Sequence, residues 1–144
     1  MEFSEENRTT LMIHLHQTIE QQTVNVTDDL LNGEYSKLAI YPPNGGLTAR
    51  EIEALEILKG NEGMRSALRK ILADNSAAVL FDLFNVIDGT GDPDPATGEW
   101  SEVVIIDRPD DYAENHEMLH DEFFSTYDEW KAKRSDTDWS LDNL

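Results

Sequence analysis

The spacing of apolar residues along the chain predicts a mostly helical protein. Leu11, Leu15 and Ile19 recur every four residues, which places them on one face of a helix. Thr48 and Glu51 match the capping-box pattern with which many helices begin. Segment 77–87 is almost free of polar positions, so we expect a buried central helix there. The helices predicted in this way are 4–22, 48–59, 62–73, 77–87 and 110–134.

Other apolar runs predict short strands. Lys37–Tyr41 is followed by prolines and glycines typical of a turn, and Trp100–Ile106 contains an unbroken apolar stretch. Thr23–Thr27 alternates weakly and is a third candidate. The expected fold class is therefore α+β, with about four longer helices and a small sheet of two or three strands. We expect residues 1–134 to form a single globular domain, and residues 135–144 to form an acidic tail that either docks on it or frays.

The charge balance excludes several classes of function. The 144 residues include 30 acidic and 11 basic side chains, which gives a formal net charge of -19. Such a chain repels nucleic acid, so we expect no nucleic-acid partner. The sequence contains no cysteine, and so it has no disulfide, thiolate zinc site or cysteine nucleophile. It also lacks the apolar stretch of a signal peptide or a membrane span, from which we expect a cytoplasmic protein with no membrane partner.

One short motif points to an enzyme. His116, Glu117 and His120 form the pattern H-E-x-x-H, in which two imidazoles one helical turn apart bind zinc and the glutamate activates the metal-bound water. A zinc hydrolase needs a third protein ligand, and no histidine follows His120. The same helix would place His116 on an apolar stripe with Leu119 and Phe123, so packing in the core is the favoured interpretation. A small zinc-dependent hydrolase is kept as the alternative function.

A second, weaker pattern resembles a calcium-binding loop. Asp88, Asp92, Asp94 and Glu99 occupy the first, fifth, seventh and twelfth positions of a twelve-residue window, as in an EF-hand. Pro93 stands where that loop requires a glycine, and a predicted strand follows instead of a helix. The favoured interpretation is a turn-rich connection whose aspartates bond to their own backbone.

The uneven distribution of charge suggests a binding function. Residues 76–144 hold 18 acids and 4 bases, and residues 107–129 hold nine acids against the single Arg108. A dense negative field attracts basic protein surfaces, and inhibitors, immunity proteins and nucleic-acid mimics share this character. Our leading hypothesis is that the chain is a non-enzymatic protein that needs no cofactor and binds a basic protein. The competing interpretation is that the acidic face only confers solubility. The residues expected to bind the partner are Asp110, Asp111, Glu114, Asp121 and Glu122.

Overall fold

The structure is a computed structural model, and it describes residues 2–38, 41, 46–112 and 118–133. Across these ranges the regular secondary structure is entirely helical, so the α+β prediction is wrong and the class is helical. In the same ranges no helix has the length and apolar character needed to cross a membrane. The α-helices are α1 (Glu5–Asn32), α2 (Ala49–Leu55), α3 (Glu62–Ile87), α4 (Leu119–Ser125) and α5 (Tyr127–Lys133), with 3-10 turns at Tyr35–Lys37 and Glu56–Leu58.

The first helix is longer than the sequence predicts because a β-branched segment is packed within it. The candidate strand Thr23–Thr27 lies inside α1, where Thr23 and Thr27 are 6% and 0% exposed. These two residues are one turn apart, and their burial on one face outweighs the low helix propensity of β-branched side chains. Gly33 follows the helix at a φ of 76°, in the left-handed conformation that commonly ends helices.

The third helix joins two segments that the sequence predicts as separate helices. Ser76 is predicted to begin the second of them, but its hydroxyl donates to the carbonyl of Leu72 at 2.9 Å and α3 continues through it. No residue of α3 is buried, and Val79 and Phe81 are 63% and 66% exposed. The prediction of a buried central helix is therefore wrong. Segment 77–87 is apolar except at Asp82 and Asn85, and neighbouring residues cover only part of its circumference.

The other two strand candidates do not form strands either. Lys37 belongs to the turn Tyr35–Lys37 and Tyr41 is irregular, while residues 39–40 lie outside the described part of the chain. Trp100–Ile106 has no regular secondary structure, and Val104 within it is 79% exposed. A strand needs a neighbouring strand to pair its backbone N–H and C=O groups, and the described residues provide none.

The predicted last helix is wrong as a single element. Residues 110–111 form a turn, and the later helices α4 and α5 are separated at Thr126. The N–H and the hydroxyl of Thr126 both donate to the carbonyl of Glu122, at 3.0 and 2.8 Å. Thr126 has a φ of -83° and a ψ of 0°, which departs from helical geometry and separates α4 from α5.

The chain divides into two compact units. Unit 1 comprises Met1–Asn25 and Ala67–Glu114, and it contains most of α1 and α3. Residues 98–112, called the acidic segment below, are tied to the start of α1. The N–H of Asp107 donates to the carbonyl of Glu2 at 3.2 Å, and the N–H of Ser4 donates to the Asp107 carboxylate at 3.3 Å. These bonds fix the position of the acidic segment within unit 1.

Unit 2 comprises Val26–Ser66 and Asn115–Leu144 and contains an aromatic core. Among the described hydrophobic residues, Leu31, Tyr35 and Tyr127 are the buried ones, at 2%, 6% and 7% exposure. The ring of Tyr41 meets that of Tyr127 edge-on at 5.2 Å and stacks on Phe123 at 5.9 Å. Aromatic pairs at these distances add to the stabilisation from buried area, so this cluster holds α4 and α5 within unit 2.

The capping box predicted at the start of α2 is confirmed. The N–H of Thr48 donates to the Glu51 carboxylate at 2.7 Å, and the N–H of Glu51 donates to the Thr48 hydroxyl at 3.3 Å. The hydrogen bonds from Thr48 lower the pKa of Glu51, because they favour its charged form. The cap fixes where α2 begins in unit 2.

Candidate functional site

The acidic segment concentrates negative charge on unit 1. It contains five carboxylates and one base, Arg108, whose guanidinium lies 5.0 Å from the centre of the Tyr112 ring. Hydrogen bonds from Ser4 and then Asn7 hold the pKa of Asp107 below its usual range, so this carboxylate is ionised at neutral pH. Five negative charges and one positive charge leave the segment with a net charge of -4.

The residues predicted to bind a partner fall into two described pairs. Asp110 and Asp111 form an exposed turn near the end of the acidic segment, in unit 1. Asp121 and Glu122 lie in the first turn of α4, in unit 2, where the positive end of the helix dipole stabilises negative charge. Glu114 lies outside the described residues. Each pair is therefore a feature of its own unit.

Of the H-E-x-x-H motif, the structure describes residues 118–120, and of these Leu119 and His120 lie in α4. Met118 has a φ of -82° and a ψ of 125°, which is an extended conformation, and α4 begins at the next residue. His120 follows in α4, where its side chain is 78% exposed and its Nε2 lies 3.5 Å from the Asp121 carboxylate. His116 and Glu117 lie outside the described residues, so the zinc hypothesis stays a prediction.

The four carboxylates of the calcium-like window are not gathered into a ligand group. Among the residues that the structure describes, no three His, Asp or Glu side chains converge. Asp88, Asp92, Asp94 and Glu99 therefore form no such group. The Asp94 carboxylate instead accepts a hydrogen bond from the N–H of Ala96 at 2.9 Å, which is the backbone bonding expected of a turn-rich connection.

An open apolar groove of about 480 Å³ lies between α1 and α3 within unit 1. Two exposed carboxylates, Asp74 and Asp82, also line it. Sequence reasoning misses the groove because it assigns segment 77–87 to the core. The available signal is that aspartates interrupt an otherwise apolar helix at a spacing of two turns. The large apolar side chains lining the groove are Met12, Leu15 and Ile19 of α1 and Leu80, Phe81 and Phe84 of α3.

Comparison with family models, with curated proteins and with solved structures finds no match for this chain.

Proposed function

We propose that this protein is a non-enzymatic, cytoplasmic binding protein that holds a basic protein surface through its acidic segment. The observation that carries this proposal is the charge of the segment together with its fixed position. The segment contains five carboxylates and one base. The N–H and the carboxylate of Asp107 form hydrogen bonds with residues at the start of α1. The exposed turn of Asp110 and Asp111 then offers two adjacent carboxylates to a partner.

The physical basis is electrostatic attraction between complementary surfaces. A chain with a net charge of -19 attracts cationic partners over distances of about a Debye length and accelerates their association. A segment held in one position loses less conformational freedom on binding than a mobile one, so more of the electrostatic attraction is retained as affinity. An inhibitor of a basic enzyme and a mimic of nucleic acid both act in this way.

The test is a measurement of partner capture across a salt series. The full chain is immobilised, proteins are captured from a cell lysate at low salt, and each captured partner is then purified and titrated. Replacing both aspartates (Asp110→Asn with Asp111→Asn) should weaken binding about fivefold to tenfold, which corresponds to roughly 0.5–0.7 kcal/mol for each carboxylate. Binding should also weaken as salt rises.

The matched control removes the same number of charges elsewhere. Glu20→Gln with Glu53→Gln neutralises two exposed helical carboxylates outside the acidic segment. This pair should change the dissociation constant less than about twofold, because only long-range charge is lost. If both pairs have equal effects, or if capture does not depend on salt, the acidic segment only confers solubility and the proposed function is wrong.

A further inference from the structure

We propose that the groove between α1 and α3 binds an amphipathic, basic helix of the protein partner. This inference rests on the proposed function and deepens it, because it names a second contact surface on unit 1 and the structural class of the segment that fills it. The acidic segment would attract the partner by charge, and the groove would select a helical segment by shape and apolar contact.

The shape and composition of the groove fit a helix. The groove is open, and its lining is dominated by large apolar side chains from two neighbouring helices. Phe81 is 66% exposed at the groove, so its ring is available to a partner there. Ala77 and Ala78 lie beside Phe81 and are small and exposed, so another helix can approach α3 closely there. Helices that dock in grooves use this arrangement, with apolar anchors inserted between two supporting helices.

The charges along the groove specify the sign of the partner's charge. Asp74 and Asp82 are eight residues apart on α3, which is two turns or about 12 Å. Ala78 lies midway between them on the same face of α3. Both carboxylates would therefore lie beside a partner helix that packs along α3. A partner helix with lysine or arginine seven or eight residues apart can therefore meet both carboxylates while its apolar face fills the groove.

Charge also argues against two other occupants of the groove. A second copy of the chain would bring another net charge of -19 and the same two aspartates to the interface. The chain's own residues 135–144 include Trp139 and two leucines, but they also carry three aspartates and no base. Both occupants would place like charges beside Asp74 and Asp82, whereas a basic helix would neutralise them.

The experiment uses synthetic probes and the full chain. The probe is a fluorescein-labelled amphipathic helix of 18 residues made of leucine and lysine, with lysines seven residues apart beside the leucine face. A scrambled peptide of the same composition carries the same charge without an apolar face. Fluorescence anisotropy gives the dissociation constants. The helical peptide should bind about tenfold more tightly than the scrambled one, since only it places apolar side chains in the groove.

Substitutions then locate the binding site. Phe81→Ala should weaken binding of the helical peptide about tenfold, as expected for the loss of an aromatic anchor. Asp74→Asn with Asp82→Asn should weaken it several-fold at low salt and less at high salt. Ile57→Ala is the matched control, because Ile57 is 80% exposed but lies in unit 2 and should not affect binding. Circular dichroism checks that each variant remains folded.

The outcomes separate this inference from the proposed function. If both peptides bind equally and only the Asp110 and Asp111 substitutions weaken them, the proposed function stands and the groove proposal is overturned. If neither peptide binds, both proposals fail. Light scattering that shows a dimer disrupted by Phe81→Ala would assign the groove to a second copy instead. Binding that appears only after deletion of residues 135–144 would assign it to that segment, and either result overturns the inference.

Discussion

The backbone N–H of Gly60 donates a 2.8 Å hydrogen bond to the carbonyl of Leu31, near the end of α1. The last four carbonyls of a helix have no partner within it. Two others at this end are satisfied locally: Gly33 N–H bonds to Leu30 at 3.3 Å, and Glu34 N–H bonds to Asp29 at 2.8 Å. Gly60 thus satisfies a third carbonyl at this end of α1, from a turn that follows the 3-10 turn Glu56–Leu58 within unit 2.

Replacing Gly60 with alanine should destabilise the protein through the backbone alone. Gly60 has a φ of 68°, and a Cβ built there meets no atom within 4 Å, so there is no steric contact to relieve. The left-handed conformation should cost alanine about 1 kcal/mol of the free energy of unfolding, measured by urea denaturation. Gly46→Ala is the control, since that position is equally open and lacks a positive φ. Equal losses in the two variants would contradict this explanation.

Replacing Thr27 with valine should stabilise the protein. Thr27 is fully buried, and its hydroxyl has no hydrogen-bond partner among the described residues. Valine keeps the branched shape and removes the unsatisfied polar group, so the free energy of unfolding should rise by about 1 kcal/mol. Thr27→Ser keeps the hydroxyl and removes the methyl group, and it should lower the same quantity by about 1 kcal/mol. A loss of stability in the valine variant would show that the hydroxyl is satisfied after all.

The stability contributed by the hydrogen bonds of Asp107 should depend on pH. The pKa of Asp107 is lowered in the folded state by hydrogen bonds from Ser4 and Asn7. A lowered pKa stabilises the fold above the ordinary aspartate pKa of about 3.9, and that contribution is lost as the pH falls through the lower folded value. Asp107→Asn should therefore be less stable than the parent at neutral pH, and the difference should shrink in acid.

Hydrogen exchange can localise that effect. At neutral pH the backbone amides of the acidic segment should exchange faster in Asp107→Asn than in the parent chain. Asp110→Asn is the control, because Asp110 lies exposed in the following turn. A difference in stability that stays constant from neutral to acidic pH would rule out the charge of Asp107 as its cause.

The aromatic cluster of unit 2 should contribute strongly to stability. Tyr127 is 7% exposed and contacts the Tyr41 ring at 5.2 Å, so Tyr127→Ala should lower the free energy of unfolding by about 3 kcal/mol. Ile57→Ala, at a residue that is 80% exposed, should change it by less than about 0.5 kcal/mol. Calorimetry of the two variants measures both values. Similar melting temperatures for them would show that the cluster is not cooperative with the rest of the fold.

Local capping signals in the sequence predict where α1 and α2 begin. Ser4 begins α1 as its position predicts, since its hydroxyl accepts the Asn7 N–H at 3.3 Å. Thr48 and Glu51 form the predicted capping box. These features depend on side chains within a few residues of each other, and so the sequence alone contains what is needed to find them.

Features that depend on distant partners are predicted poorly. The run Trp100–Ile106 has the composition of a strand, but a strand forms only where a second one pairs with it. The helix interior at Thr23–Thr27 is favoured by burial that no local pattern reveals. The composition of segment 77–87 predicts a helix covered on all sides. The groove beside Phe81 shows that composition does not determine how much of a helix surface is covered.

The hydrogen bond between Ser4 and Asp107 joins positions that are 103 residues apart. A ribosome that adds about 5–20 residues per second needs roughly 5–20 s to cover that distance. During that time the beginning of α1 has left the exit tunnel with its amphipathic face uncovered. Stalled nascent chains in which Asp107 is still inside the tunnel should therefore be captured by chaperones more strongly than chains in which it has emerged.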